Sequence, residues 1–259
     1  MRRRESSMPG SSIMAAVMAG VASMAMVACD SGEPVDPGSD LPSRLLPGDA
    51  LPDGFTVVSA QVSELVAANR STLKNAESVR FDPVGCKPTA DAKFNPHLNE
   101  GNTAFLVGRS AAGTFTELVS TQRRDVDADR RDTSGPCRVV TASPTAGGLA
   151  GARIVTTSSE LPVHGIDGAE QAYLLRTDSV TTLADGGVRA RSAYMANLLV
   201  QSTSGRVITL QVGIAGQDAA VEPERVEKAG PNAALSDPPV SESAFTGLVR
   251  KAAERAAMA

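Results

Sequence analysis

Residues 171–213 read QAYLLRTDSVTTLADGGVRARSAYMANLLVQSTSGRVITLQVG, and this segment sets the architecture of the chain. It holds three runs, 171–178, 190–200 and 206–213, that are rich in the β-branched, aromatic and aliphatic residues typical of strands. Between them lie two short glycine-containing connections, at 184–187 and 202–205. Short turns between successive strands require antiparallel pairing. The segment therefore predicts a three-stranded antiparallel meander at the centre of a sheet.

Strand-like runs continue towards the N-terminus. They cover residues 55–59, 78–81, 103–107, 114–121, 138–141 and 152–157. Apolar residues with helical spacing occur only near the N- and C-terminal ends of the predicted domain. Near the start, Ser59 is a candidate cap for a helix with an apolar face. That face comprises Val62, Leu65, Val66 and Leu73.

A second helix is predicted at the C-terminus, capped by Ser241 or Ser243. Its apolar face comprises Phe245, Leu248, Val249, Ala252 and Ala256. Residues 216–238 have no clear period and are interpreted as a surface connection. The sequence thus predicts the α+β class: a twisted antiparallel β-sheet of about 6–8 strands, with helices near the N- and C-terminal ends of the domain packed on one face.

The N-terminus carries an export signal. Arg2, Arg3 and Arg4 precede an uncharged run, residues 13–28, which ends directly before Cys29. A basic start, a short apolar run and a small residue before the cut are typical of a secretory signal. We predict a lipoprotein signal peptide at 1–28 and lipidation of Cys29, which anchors the protein to the outer face of the cell membrane. A plain signal peptide and a transmembrane anchor are the alternatives, although the run is short for a membrane-spanning helix.

Residues 29–54 are rich in proline, glycine and aspartate and are predicted to form a tether, followed by one extracytoplasmic domain at 55–259. Two cysteines remain after Cys29, namely Cys86 and Cys137. An even pair in an oxidising compartment predicts a disulfide. The sequence has no Cys-x-x-Cys motif, and neither histidine has metal-ligand spacing to these cysteines. A metal or redox site is therefore not indicated.

Composition and motifs narrow the function classes. The formal net charge is −4 and aromatic residues make up 3% of the chain. We therefore predict no nucleic-acid partner, and neither metal nor cofactor is expected. His97 and His164 are interpreted as solvated loop residues rather than general bases, and no Gly-x-Ser-x-Gly motif is present. The run 123–132 has Asp125, Asp127 and Asp129 at alternate positions and balances four aspartates with four arginines. It is interpreted as a mobile, charge-balanced loop, with a calcium site or an exposed recognition loop as alternatives.

Three short motifs carry a resemblance: Val27-Ala28-Cys29, the Leu45-Leu46-Pro47…Leu51-Pro52-Asp53-Gly54-Phe55 phrase, and Val84-Gly85-Cys86-Lys87-Pro88. With these motifs the chain resembles lipoproteins of unknown function from mycobacteria, nocardiae and related actinobacteria. It is also loosely similar to the extracellular sensor domains of mycobacterial receptor Ser/Thr kinases, in which two cysteine pairs rather than one are expected. The resemblance implies a disulfide-braced α+β domain with a cleft suited to a small ligand.

These observations predict a lipid-anchored envelope lipoprotein with a non-catalytic ligand-binding or sensing domain. Its partners would be the membrane, through Cys29, and either a small envelope ligand or an envelope protein. One alternative is an accessory subunit of an envelope transport or wall-synthesis complex. Another is a hydrolase whose site has no recognisable motif.

Overall fold

The computed structural model describes residues 40–87, 90–230 and 232–258. The predicted signal peptide, the lipidation site Cys29 and tether residues 29–39 lie outside the described residues. Among the described residues, no helix is both long and apolar enough to span a bilayer.

One antiparallel sheet of ten strands forms the domain. The strands are β1 (Thr56–Val58), β2 (Val79–Asp82), β3 (Thr103–Arg109), β4 (Gly113–Ser120), β5 (Val139–Pro144), β6 (Arg153–Leu161), β7 (Ala169–Thr182), β8 (Val188–Gln201), β9 (Val207–Gly216) and β10 (Ala219–Val221). Their order is β1-β3-β4-β9-β8-β7-β6-β5-β2. The short strand β10 pairs with the first residues of β8, beyond the end of the β8–β9 pairing. The antiparallel sheet is confirmed.

The expected number of 6–8 strands was wrong. The sheet has ten strands because the short predicted runs at 55–59 and 78–81 both pair as strands, β1 and β2, and because β10 is an additional strand that pairs with β8. β10 lies in the region predicted to be a surface connection. A three-residue run such as β10 has little strand preference of its own, so its pairing is decided by the tertiary structure.

The predicted meander lies at the centre of the sheet. β7 and β8 pair over most of their 14 residues, and β9 pairs with β8 from Val207 to Ala215. The strands run longer than their apolar cores because cross-strand hydrogen bonds continue into the polar residues at both ends. Gly186 and Gly205 turn the chain between them at positive φ, a region in which side-chain-bearing residues are strained.

Five helices accompany the sheet: α1 (Val62–Ala76), α2 (Ala90–Phe94), α3 (Val126–Thr133), α4 (Pro223–Ala229) and α5 (Glu242–Ala257). Gln61, rather than Ser59, caps α1 and forms a capping box with Glu64. Ser241 caps α5 by accepting a hydrogen bond from the Ala244 N–H.

The two terminal helices pack on opposite faces of the sheet, which corrects the expectation that they share one. α5 packs on the face formed by Phe115, Val119, Leu198 and Leu210. α1 packs through Val62 on Leu118 and Phe105, whose side chains point the other way because strand residues alternate between faces. Amphipathic spacing shows that each helix buries one side, but it does not specify the face of the sheet that the side covers.

The N-terminal part of the domain begins earlier than Phe55. Leu41, Leu46 and Leu51 are buried in the same core as α5, and the side chain of Arg44 is 1% exposed. Residues 41–51 were assigned to the tether because of their prolines and glycines. Their regularly placed leucines nevertheless pack on the sheet, so this part of the predicted tether belongs to the folded domain.

Candidate functional site

The two faces of the central strands differ in how far they are covered. On one face Phe115, Tyr194 and Ile214 lie under α5 and are at most 4% exposed. The residues next to them in sequence, Thr116, Met195 and Gly213, point to the opposite face. Met195 is 43% exposed there. An exposed methionine at the centre of a sheet, surrounded by strands on both sides, identifies this face as incompletely covered.

Six half-buried residues on the same side of the strands as Met195 are small, and three of them carry a hydroxyl group. We call this surface the open face; besides Met195 it comprises Thr116, Thr177, Ser179, Ala193, Gly213 and Ala215. A Cβ added at Gly213 would lie 2.8 Å from Oγ1 of Thr116, so a larger residue here would require the Thr116 side chain to move. The open face offers hydroxyl groups for hydrogen bonding around one polarisable thioether.

Helix α1 carries the chain across the face on which these residues lie. It connects β1, at one edge of the sheet, with β2, at the other edge. Of its side chains only Val62 is fully buried, whereas Leu65, Val66 and Leu73 are half-exposed. The helix therefore packs on the sheet through its N-terminal turns, where Leu65 and Val66 lie against the cluster that contains Val62.

The far end of the same face is closed by α3. Residues 123–132 were predicted to be a mobile loop, and this prediction was wrong: Asp125 caps a helix that packs through Val126 on Tyr173, Leu175 and Leu199. The buried Arg124 guanidinium donates two hydrogen bonds to Asp129, at 2.7 Å each, and one to Asp91 at 2.8 Å.

The same arginine ties α2 to α3. Its guanidinium lies 5.1 Å from the centre of the Phe94 ring. Burial raises the pKa of the Asp129 carboxyl, and the ion pair with Arg124 opposes that shift. Each of the aspartates that suggested a calcium loop forms an ion pair with an arginine: Asp125 with Arg131, Asp127 with Arg130 and Asp129 with Arg124. Among the described residues, no group of three or more His, Cys, Asp or Glu side chains is arranged to hold a metal.

The disulfide between Cys86 and Cys137 is present, with an S–S distance of 2.06 Å. It joins a 3₁₀ turn before α2 to another after α3. The segment that it closes therefore includes β3, β4 and the helices that cover one end of the open face.

The two histidines lie apart from the open face. His97 is exposed, and its carbonyl oxygen accepts a hydrogen bond from Asn102. His164 lines a shallow depression of about 580 Å³ at the start of α5, together with Ser241, Glu242 and Ser243. Within the part of the chain that the structure describes, no hydrogen bond joins His164 to these residues, and Ser241 is already engaged as the helix cap. The arrangement lacks the linked nucleophile, base and carboxylate of a hydrolase.

No family model matches the chain, and neither a curated protein nor a solved structure matches it.

Sequence reasoning did not single out Met195, although a signal was available. In β8, Ser192, Tyr194, Ala196 and Leu198 alternate towards one face, which places Met195 on the other. A strand at the centre of a sheet is expected to bury both sides. That Met195 remains exposed depends on where α1 and α3 end, and this is a tertiary property.

Proposed function

We propose that the protein is a lipid-anchored lipoprotein of the outer face of the cell membrane, and that its domain binds an envelope ligand on the open face. The observation that carries the binding role is the partly exposed surface around Met195, since most residues on the opposite side of the same strands are buried. Contiguous surfaces left open in this way are where binding sites occur. The proposal for the anchor rests on the sequence around Cys29, and the disulfide supports it because such bonds persist in exported proteins.

The chemistry of the open face indicates the class of ligand. Thr116, Thr177 and Ser179 provide hydroxyl groups, and the face has no aromatic residue on which a sugar ring or a base would stack. A small polar or amphipathic molecule fits this surface, with its apolar part on Met195. An accessory role, in which a partner protein docks on the same strands, is the second candidate because the open face extends over four neighbouring strands, β4, β9, β8 and β7.

The anchor is tested by replacing Cys29 with alanine in the encoding organism. We expect the parent protein to sediment with membranes and its N-terminal peptide to carry the mass of acyl chains. The Cys29→Ala protein should lose both properties, because only the thiol can be acylated. Ser31→Ala, a substitution close by that leaves the thiol, should behave like the parent. Equal sedimentation of the Cys29→Ala protein, with no lipid mass on the parent, would refute the anchor.

The binding role is tested by native mass spectrometry of the protein purified from the same organism. We expect a non-covalent small molecule to accompany the parent, and its occupancy to fall at least about tenfold in Met195→Glu, since a carboxylate replaces the apolar contact. Met258→Glu is the matched control, because among the described residues Met258 is the other methionine, at the end of α5 and 59% exposed. A parent that is free of ligand but captures a protein through Met195 would support the accessory role instead.

A further inference from the structure

A segment of the chain lies across the covered face of the sheet beside α5. We call residues 41–51 the strap. Its three leucines, Leu41, Leu46 and Leu51, are buried against the same core as Phe245 and Ala252 of α5. Apolar contact thus holds the strap at intervals along its length.

Two arginines fasten the strap to the last turn of α5. Nη1 of Arg44 donates a hydrogen bond to the carbonyl oxygen of Ala256 at 2.5 Å, and Nε of the same side chain donates to Asp40 at 2.9 Å. In the other direction, Nε of Arg255 donates to the carbonyl oxygen of Leu45 at 2.6 Å. These bonds satisfy carbonyl groups that are left without partners at a helix end and in an irregular segment.

Beneath the strap lies a carboxylic acid that is wholly enclosed. Glu117 of β4 has no exposed surface. Its Oε2 accepts a hydrogen bond from the Leu46 N–H at 2.9 Å, whereas its Oε1 has no hydrogen-bond partner among the described residues. The residues beside it on the neighbouring strands are Leu106 and Val212. A charge in these surroundings is poorly solvated, so burial raises the pKa of Glu117 to about 7.

Charged groups lie on the elements around Glu117. Burial disfavours the ionised form of Glu117, and this effect exceeds the opposing effects of the hydrogen bond from the Leu46 N–H and of Arg255 of α5. Arg44 and Asp40 pair with each other at the start of the strap, and Arg206 of the β8–β9 turn lies 4.0 Å from Asp40. Neither His97 nor His164 belongs to this cluster. Within the described part of the cluster, Glu117 is therefore the group that changes charge near neutral pH.

We propose that the strap is a latch that is closed over neutral Glu117 and released when Glu117 ionises. The geometry supports a single trigger point, since Glu117 accepts a hydrogen bond from the backbone of Leu46 in the strap and has no exposed surface while the strap is in place. Release lets water reach the carboxylate and separates the strap from α5. The leucines and the two arginine contacts return the strap when the proton returns.

The direction of the pH effect follows from linkage. A carboxyl group whose pKa is higher in the closed state than in the open state favours closure fully at low pH, and this contribution is lost as pH rises to about 7. Opening of the strap is therefore expected to increase between pH 5 and pH 8, by up to about 50-fold if the open state restores an ordinary glutamate.

Release of the strap would lengthen the connection between the domain and the membrane. Eleven further residues add roughly 35–40 Å of reach when they are extended. This consequence alone rests on the proposed lipid anchor. The latch itself depends on neither the lipid nor a ligand, so its failure would leave the proposed function standing.

Hydrogen exchange of the full chain in detergent, followed by mass spectrometry, tests the latch. Exchange rates are first corrected for their intrinsic pH dependence. We then expect the protection of residues 41–51 to fall between pH 5 and pH 8 by a factor of roughly 5 to 50. Peptides from β7 and β8 should keep their protection, which separates local release from global unfolding. Strap protection that is equal at both pH values would overturn the proposal.

Two glutamine variants test whether ionisation of Glu117 causes the pH response of the strap. Glu117→Gln cannot ionise, so its strap should be protected equally at both pH values. Glu254→Gln alters an exposed carboxylate on α5 and should retain the full response of the parent. A pH response that persists in Glu117→Gln would refute Glu117 as the trigger. If Glu117→Gln does not fold, the pH series of the parent and of Glu254→Gln still decides whether the strap opens locally.

Discussion

Replacing Phe245 with alanine should lower the free energy of unfolding by about 4 kcal/mol, which is the largest effect that we expect from a single core substitution. Phe245 has no exposed surface, and its ring stacks on that of Tyr194 with 5.0 Å between the ring centres. It is the aromatic residue by which α5 packs on the sheet. Truncation to alanine removes the transfer free energy of the ring and leaves a cavity that the long strands cannot close.

Urea unfolding followed by circular dichroism measures this loss. Lys251→Ala, at an exposed position of the same helix, should change the free energy of unfolding by less than about 0.5 kcal/mol. Phe245→Leu keeps most of the apolar volume and should lie between the two, which provides a measurable variant if the alanine protein is unfolded. A loss of less than about 1 kcal/mol in Phe245→Ala would show that α5 does not depend on this contact.

Removing the disulfide should cost a similar amount. Cys86 and Cys137 are 51 residues apart in sequence, and closing a loop of that length in the unfolded chain is worth about 4 kcal/mol in the chain-entropy model. The double variant Cys86→Ser/Cys137→Ser should therefore unfold at a markedly lower urea concentration. The loosening should begin in α2 and α3, since the bridge joins the turns that flank them.

Alkylation identifies the bonded form directly. The unreduced parent protein, unfolded in urea, should show neither Cys86 nor Cys137 as a free thiol, and both should be alkylated after reduction. Cys29→Ser serves as the control because it leaves the pair intact. Equal stability of the double variant and the parent would contradict the bracing role.

Most strands and helices of this fold can be predicted from the sequence, but α3 cannot. Residues 123–132 have many charges and few apolar residues, so periodicity gave no helix. The helix forms because Asp125 caps it and because Arg124 and Asp129 pair in a buried site made by α2 and the sheet. Those partners are brought together by the tertiary structure.

Glu117 and Met195 illustrate the same limit for the candidate sites. Alternation along β4 places Glu117 in phase with Phe115 and Val119, which is a signal for a buried acid. Alternation along β8 likewise places Met195 opposite Tyr194. In neither strand does the pattern indicate whether the face concerned is covered by α5, by the strap or by nothing.

The sequence by itself determined the strand-forming runs, the C-terminal helix and its apolar side, and the cysteine pair, because these depend on local spacing and on residue type. Only the tertiary structure decided that α1 and α5 lie on opposite faces, that the leucines of residues 41–51 are buried and that the surface around Met195 is left open. The physical reason is that a period of two or of 3.6 residues defines which side chains point together. What those side chains meet depends on contacts between residues far apart in the chain.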